Sequence, residues 1–545
     1  MEHPGSEHGV EKKRSGGCVN LNLTMDSQAS PSVWLERGRY RMKAPVNPRR
    51  LVFQATESYA RRSPPYRVNK NLTFLLLLLA LACFTCFGSA YYLFTTRWDF
   101  RPVSAPSSIA NSVVKATASE TVARLNEKYL SYLPHSGFHN QRIAFENALV
   151  LAYLLRRTLL VPPIRLGNKP IHYTEYNSLS QHHELSGREG LTHCPRLPRY
   201  LSRPPECLEY FEFSYVPWTW LVDLAAISDR QTLFHRFNMS QAWIYANFDI
   251  LPSDIYTLHD DSPYQFRFLD TATDSSPLNH RYLEDVYIDK LKILDQRLLQ
   301  IGTLFGTSRL RLKKRDNIAY RAVVRRMMVF TNEDLTNVAN SIARSLEGVF
   351  LGIHLRSGDG PFKSNIDHTI QSVLWKVLYD VLGLSYMETC KLEESFGEED
   401  SGLCNLKRMT ATNLKGFVTA PTTFSFPPSL RCQWRRHPED RYHLLNIPLY
   451  IATDLENPDI HPLLSTFRKT FPCIFFLKDF AAETQLLEQL KSPHDGVDLR
   501  HFALPFVDAL VLGRAVKVVG TEGSTFSQFA EDVLWTSYHL KMPSD

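Results

Sequence analysis

Little net charge remains once the first 70 residues are set aside. The formal charge is +6, but residues 1–70 carry 13 Lys/Arg against 6 Asp/Glu, a local +7 that leaves about −1 for the other 475. The basic excess is a tail, so a body that binds nucleic acid is not expected. No Asp-x-Asp pair occurs anywhere in the chain, so a metal bridged between neighbouring acids and a diphosphate is not favoured. Residues 164–215 hold His182–His183 and His193–Cys194, but no Cys-x-x-Cys or His-x-x-x-His pair, which argues against zinc. Cysteine is sparse, nine in 545 residues. Cys18, Cys83 and Cys86 fall in the tail and in an apolar run. The six in the body, Cys194, Cys207, Cys390, Cys404, Cys432 and Cys473, suit disulfides in an oxidising compartment. Closeness in sequence suggests Cys194–Cys207 and Cys390–Cys404.

What is present is first an apolar run. Phe74–Phe94 holds 21 residues without a charge, enough to span a bilayer core of about 30 Å as a helix. Arg49, Arg50, Arg61, Arg62, Arg67 and Lys70 precede it and only Arg97 and Arg101 follow closely. That bias puts the N-terminus in the cytosol. The expected order is a disordered basic tail over 1–70, a transmembrane helix over 71–96 and a Pro/Ser/Ala-rich stem over 97–124. The C-terminal body is then lumenal or extracellular. Asn238–Met239–Ser240 is its one sequon.

The body alternates strands and helices, which implies a parallel sheet flanked by helices. Lys128–Pro134 reads as a strand, Gln141–Arg156 as a helix and Thr158–Val161 as a strand. The loop between them offers His135, His139, Asn140 and Arg142 at a helix start, where free N–H groups favour negative charge. Asn140 could equally be a helix cap. Residues 164–215 read as a loop or lid, and 280–346 as largely helical. At Gly348–Gly360 an apolar strand stops at His354–Leu355–Arg356 and turns through Ser357–Gly358–Asp359. A buried strand thus presents His354, Arg356 and Asp359 where open α/β sheets bind ligands. Arginine's planar fork fits phosphate oxygens, though an Arg–Asp pair could also simply close the turn. Pro448–Asp454, Cys473–Leu477 and Val516–Gly520 read as further strands, with helices at His461–Phe471, Phe506–Ala515 and Ser524–Trp535. Thr521–Phe526 gathers hydroxyls and N–H groups at the last helix start, with Ser524 or Thr525 also able to cap it. Residues 391–445 read as an insertion of loops. The expectation is an α/β body of two Rossmann-like domains facing a cleft, 125–345 and 346–545, with the anion-binding groups in the second.

Three segments resemble the GDP-fucose O-fucosyltransferase superfamily. His354–Asp359 matches its H-x-R-x-G-D motif, Gly137–Arg142 its G-x-x-N-Q segment, and Asp508 with Ser524–Thr525–Phe526, 16 residues on, its acid and Ser-(Ser/Thr)-Phe. The resemblance spans about 125–540. It implies a GT-B fold and metal-independent inverting transfer from GDP-fucose, with no cofactor, in a Golgi or other secretory-pathway membrane. The acceptor, a protein Ser/Thr or a glycan, is left open. Arg356 would bind the β-phosphate and stabilise departing GDP. His354 and Asp508 would contact the guanosine part, Ser524 and Thr525 the phosphate, and Asn140 the reacting sugar. Asp359, Phe526 and Gly137 belong to the same motifs. The first loop departs from the family pattern: it lacks the acidic residue or Gly-Gly of many relatives. His139 or His135 is then the candidate base, and Glu146 a structural residue. A non-catalytic binder that kept the fold, or an enzyme for another nucleotide sugar, are the competing readings.

Overall fold

The computed structural model describes residues 70–97, 127–198, 200, 202–271, 281–358, 360–396, 426–427 and 430–540. Contacts divide the chain into two units, Met1–Asn111 and Ser112–Asp545. In the first, the apolar run lies in a 28-residue helix, Lys70–Arg97. Leu and Ala, its main residues, are strong helix formers. Phe74, Leu77, Leu81, Phe84 and Phe87 on it are exposed, and several of its other side chains lie outside the described set. Among the described residues no helix is long and apolar enough to cross a membrane. The expected tail up to residue 69 and the stem from residue 98 lie outside the described residues.

The second unit carries fourteen strands among the described residues. In chain order these are β1 (Tyr129–Tyr132), β2 (Thr158–Val161), β3 (Ile164–Gly167), β4 (Phe213–Val216), β5 (Leu233–His235), β6 (Ile255–Leu258) and β7 (Phe266–Leu269). Then follow β8 (Glu284–Tyr287), β9 (Leu298–Ile301), β10 (Leu310–Arg311), β11 (Leu351–Leu355), β12 (Leu449–Thr453), β13 (Ile474–Phe475) and β14 (Lys517–Gly520). Two parallel sheets dominate, ordered β5-β2-β1-β9-β6 and β13-β12-β11-β14. All five residues of β11 are buried, as a parallel strand covered on both faces requires. The helix Arg500–Arg514 lies directly on it. A Cβ added at Gly352 would meet Ala515 Cβ and Leu512 Cδ2 at 3.0 Å, so only glycine admits that approach.

One hydrophobic cluster joins the halves. Phe138, at the start of the helix Phe138–Leu155, packs its ring 4.7 Å from Phe506, and Phe330 lies 5.3 Å from Phe506 and 4.9 Å from Phe529. The division expected at 345/346 falls between the helix Glu333–Ser345 and β11, inside this unit.

Several expectations are corrected. Residues 280–346 are helical only in part: helices at Ile288–Lys292, Arg315–Arg326 and Glu333–Ser345 share the stretch with β8, β9 and β10, and β9 pairs with β1 at the centre of the first sheet. Its four residues, Leu298–Ile301, form too short an apolar run for periodicity to separate strand from helix. Residues 164–215 are not a plain loop: β3 and β4 form an antiparallel pair around a helix at Tyr176–Leu185. The helix expected at Phe506 begins at Arg500 and carries Pro505 inside it, against proline's tendency to end helices. Asn140 is not a cap, since the helix begins at Phe138 after Gly137. Within 391–445, a helix at Tyr386–Phe396 and a 3₁₀ segment at Asp440–Asn446 bound a stretch mostly outside the described residues. Cys194–Cys207 is bonded as expected. Cys390 is disulfide-bonded, while Cys404 lies outside the described residues. Cys432–Cys473 was not foreseen.

Candidate functional site

The carboxyl end of β11 is laced to the strands on either side. On the β14 side, Thr521 N–H donates to the His354 carbonyl at 3.0 Å, and Arg356 N–H donates to Thr521 Oγ1 at 3.0 Å. On the β12 side, Asp454 follows the strand and accepts four bonds. They come from Ser357 N–H (2.7 Å), Ser357 Oγ–H (2.6 Å), Gly358 N–H (3.0 Å) and the Arg356 guanidinium (2.8 Å). Burial alone would raise the Asp454 pKa, but the Ser357 bonds, the Arg356 charge and Gly358 N–H outweigh it and hold the carboxyl below its usual range. A Cβ at Gly358 would sit 2.8 Å from Asp454 Oδ2, so a larger residue there would push the Asp454 carboxylate aside. Arg356 stays about a third exposed, aimed by Asp454 and open at the strand end. Asp454 is one partner of this guanidinium; Asp359 lies outside the described residues.

His354 is buried and neutral. Desolvation pushes its pKa down to about 3. Its Nδ1 pairs with Ser527 Oγ at 2.7 Å, and its ring stacks on Phe526 at 4.2 Å. Ser527 comes this close because position 520 is glycine: a Cβ there would lie 2.4 Å from Ser527 Cβ. Ser524 caps the helix Thr525–Phe529, its side chain accepting from Ser527 N–H at 3.4 Å. That is the capping use; Thr525 is the first helical residue behind it.

The first loop meets this group through Phe526. The His139 ring lies edge-on to Phe526 at 5.0 Å and 5.2 Å from Phe529. His139 Nδ1 is buried without a partner among the described residues. Burial, then the Arg142, His354 and Arg356 charges, holds its pKa well below the ordinary range. His135 is different: its ring nitrogens contact Ser136 Oγ at 2.8 Å and Thr303 Oγ1 at 2.7 Å, and burial lowers its pKa to about 4. Ser136 itself holds φ 64, a conformation that costs a non-glycine residue about 1 kcal/mol or more. Gly137 precedes the helix, and a Cβ there would meet nothing within 4 Å. Asn140 lies in the helix's first turn, its N–H donating to the Gly137 carbonyl at 3.0 Å.

Two expected site residues are placed elsewhere. Arg142 does not point into the loop region: it is buried, paired with Glu146, and covers the Phe529 ring at 4.5 Å. Asp508 accepts the Tyr450 hydroxyl at 2.6 Å, tying the helix Arg500–Arg514 to β12. Burial pushes its pKa up to about 7, against the pull of that bond. Sequence reading missed Asp454 and Ser527. The polar end of the Pro448–Asp454 strand hinted at the first; nothing in the spacing pointed to the second.

Chemically, the mouth offers one oriented guanidinium and an aromatic–imidazole stack. It can hold an anionic group and a flat ring, and can neutralise charge that develops on a leaving oxyanion.

No family model matches the chain. O-fucosyltransferase 30 of Arabidopsis thaliana is 54% identical over 48 residues, 8% of this chain and 10% of that protein. The chain thus matches about a tenth of the length of that curated relative. A solved structure of POFUT1 in complex with GDP-fucose aligns with 74% of this chain and 93% of its own, at 11% identity and a TM-score of 0.30. POFUT1 in complex with GDP aligns over 74% and 94%, at 12% identity and a TM-score of 0.31.

Proposed function

We propose that this chain is a glycosyltransferase that takes fucose from GDP-fucose to a hydroxyl of a protein or glycan acceptor, by inverting, metal-independent transfer. The carrying observation is the meeting of three distant segments, His139, His354–Arg356 and Phe526, at the carboxyl end of a parallel strand. The 48-residue match to a protein named as an O-fucosyltransferase supports the same reading. In it, Arg356 holds the β-phosphate and offsets the charge on departing GDP. Ser524 and Thr525 complete the phosphate cradle, with Asp359 as a further donor-binding residue. His354 and Phe526 form the wall beside the guanosine, and Gly137 and Asn140 face the sugar. The acceptor oxygen bonds to the anomeric carbon as the carbon–oxygen bond to GDP breaks. Its proton leaves to His139 or to water. The metal-independent part rests on the lack of an Asp-x-Asp pair.

The same reading puts the body in the lumen of the Golgi or another secretory-pathway compartment; no helix among the described residues, Lys70–Arg97 included, is long and apolar enough to serve as a membrane span. The two disulfides Cys194–Cys207 and Cys432–Cys473 suit that compartment. A non-catalytic binder is favoured by one observation: both loop histidines are held neutral, and His135 has both ring nitrogens engaged.

Calorimetric titration of the full chain with GDP, GDP-fucose and UDP, with and without chelator, tests the donor. Selective, chelator-insensitive GDP binding that Arg356→Ala weakens by about 30- to 150-fold supports it. No GDP binding by folded protein removes it. Release of GDP from GDP-fucose separates the enzyme from the binder.

A further inference from the structure

The first sheet carries a groove lined by none of the residues assigned above. It lies between the helices Tyr176–Leu185 and Gln241–Phe248, over β6 and β9, and encloses about 450 Å³, within the roughly 300–1,000 Å³ of small-molecule sites. Its walls follow from helical spacing. Asn177, Ser180, Gln181 and Glu184 recur at the intervals that share one face of the first helix, and Gln241 and Tyr245 stand one turn apart on the second. Its floor follows from strand register. Thr257 on β6 and Gln300 on β9 pair directly, so both rise from the same face of the sheet. Toward the amino end of that face Leu298 is buried with Ile244; toward the carboxyl end it turns polar.

Two amides meet in this groove. Gln300 is 6% exposed. Its Oε1 accepts from the Tyr176 hydroxyl at 3.0 Å and from Gln241 Nε2 at 2.9 Å. Its own NH2 has no partner among the described residues, and neither has Gln241 Oε1. Turning both amides over leaves the same remainder, one carbonyl oxygen and one NH2. A hydroxyl, which donates and accepts, answers both. No Lys or Arg lines the groove among the described residues, and its carboxylate, Glu184, already accepts the Gln241 N–H at 3.0 Å. Neutral groups of both bonding senses beside an exposed tyrosine ring suit a polyhydroxylated ligand and not an anion. We propose that the groove binds a neutral oligosaccharide, with Asn177, Gln181 and Gln300 bonding its hydroxyls and the Tyr245 ring meeting the C–H face of a sugar. The binding itself does not rest on the GDP-fucose reading; taking the bound chain as the acceptor does.

The test is binding of the full chain to an array of immobilised neutral trisaccharides (hexose, deoxyhexose, pentose and N-acetylhexosamine) beside uronate-containing and sulfated ones, followed by titration of the best-bound trisaccharide in solution. A neutral trisaccharide should bind, and the double change Asn177→Ala/Gln181→Ala should weaken it by about tenfold or more. Both side chains are exposed, and alanine favours the helix, so this variant should fold. Tyr245→Ala should weaken the same trisaccharide several-fold. GDP titration should be the same in wild type and variants, which keeps a failure here distinct from a failure of the donor reading. No neutral trisaccharide bound by folded wild type overturns the proposal and leaves a groove that holds water. Unchanged affinity in both variants overturns it too, by placing the sugar elsewhere. Binding of the acidic oligosaccharides alone overturns the neutral ligand.

Discussion

The carboxyl ends of the two large sheets use similar residue types to opposite effect. At β11, Arg356, Ser357 and Gly358 converge on one ionised carboxylate, Asp454, and the guanidinium stays partly open. At β1 and β9 the polar groups consume one another. Gln141 gives both amide hydrogens to the Ser136 and Arg165 carbonyls and accepts from Arg165 N–H, while Asp260 accepts from Thr303 N–H and Thr303 meets His135. The first end keeps charge at a surface, as anion binding needs. The second end is a mostly interlocked network, with Asp260 Oδ1 left without a partner among the described residues. A polar residue at a strand end therefore says little until its neighbours are known. What matters is how much of its bonding capacity they leave over.

The disulfides give the largest contrast between the halves. Cys432–Cys473 closes 41 residues of the second half and Cys194–Cys207 closes 13 of the first. By loop closure, removing each through a double Cys→Ser change should cost about 4 and about 3 kcal/mol. Denaturant unfolding should show both losses in one transition, because Phe138, Phe330, Phe506 and Phe529 join the halves in one core. Two separated transitions would break that picture. Next in size is Asp454→Ala. It removes one partner of Arg356 and strands three donors of the turn, so about 2–3 kcal/mol of stability should go, less than for a fully buried pair because both side chains are partly exposed. GDP affinity should fall with it. Lost stability with unchanged affinity would leave the β11 turn a structural device only.

The sequence made the second half more legible than the first, for a physical reason. β11 is five buried residues ending in charge, and β12 and β14 follow the same plan. Such strands announce themselves by composition. β9 is four residues, Leu298–Ile301, and β7 is Phe266–Leu269 with Arg267 inside it, its charge answered by Asp285 from β8. Nothing local separates these from turns of a helix. In the site, Arg356, His354, Phe526 and His139 were legible because each sits in a short motif. Asp454 and Ser527 were not, since their partners are 97 and 173 residues away in sequence. The Tyr450 partner of Asp508 was not legible either, because a helix position says which residues share a face, not what that face meets.

Two carboxylates of the second half should respond to pH with opposite signs. Asp454 is held below its usual pKa, so its contribution is present at neutral pH and is lost as pH falls through about 4 and below. Asp508 is raised to about 7. The folded state then binds the extra proton between about pH 4 and pH 7, and stability falls as pH rises across that window. Asp508→Asn should flatten the fall and gain about 2 kcal/mol above pH 7, a figure already reduced for partial solvent access. Urea midpoints across pH would check it. If the same change also weakened GDP binding, the carboxyl would reach the guanosine, as the resemblance implies, despite its bond to Tyr450.

The smallest expected effect compares two phenylalanines. Phe138 packs among core rings, at 4.7 Å from Phe506 and 5.7 Å from Phe330, and touches one histidine, His139, edge-on at 5.1 Å. Phe526 lies between two histidines, His354 and His139. Changing either to leucine keeps most apolar volume and removes ring contacts, so each should cost about 1 kcal/mol of stability. Only Phe526→Leu should also lower GDP affinity, by a few-fold, because it alone forms part of the wall at the β11 mouth. Equal affinity in the two variants would mean that the stack orders the halves against each other and leaves the ligand to Arg356 and its turn.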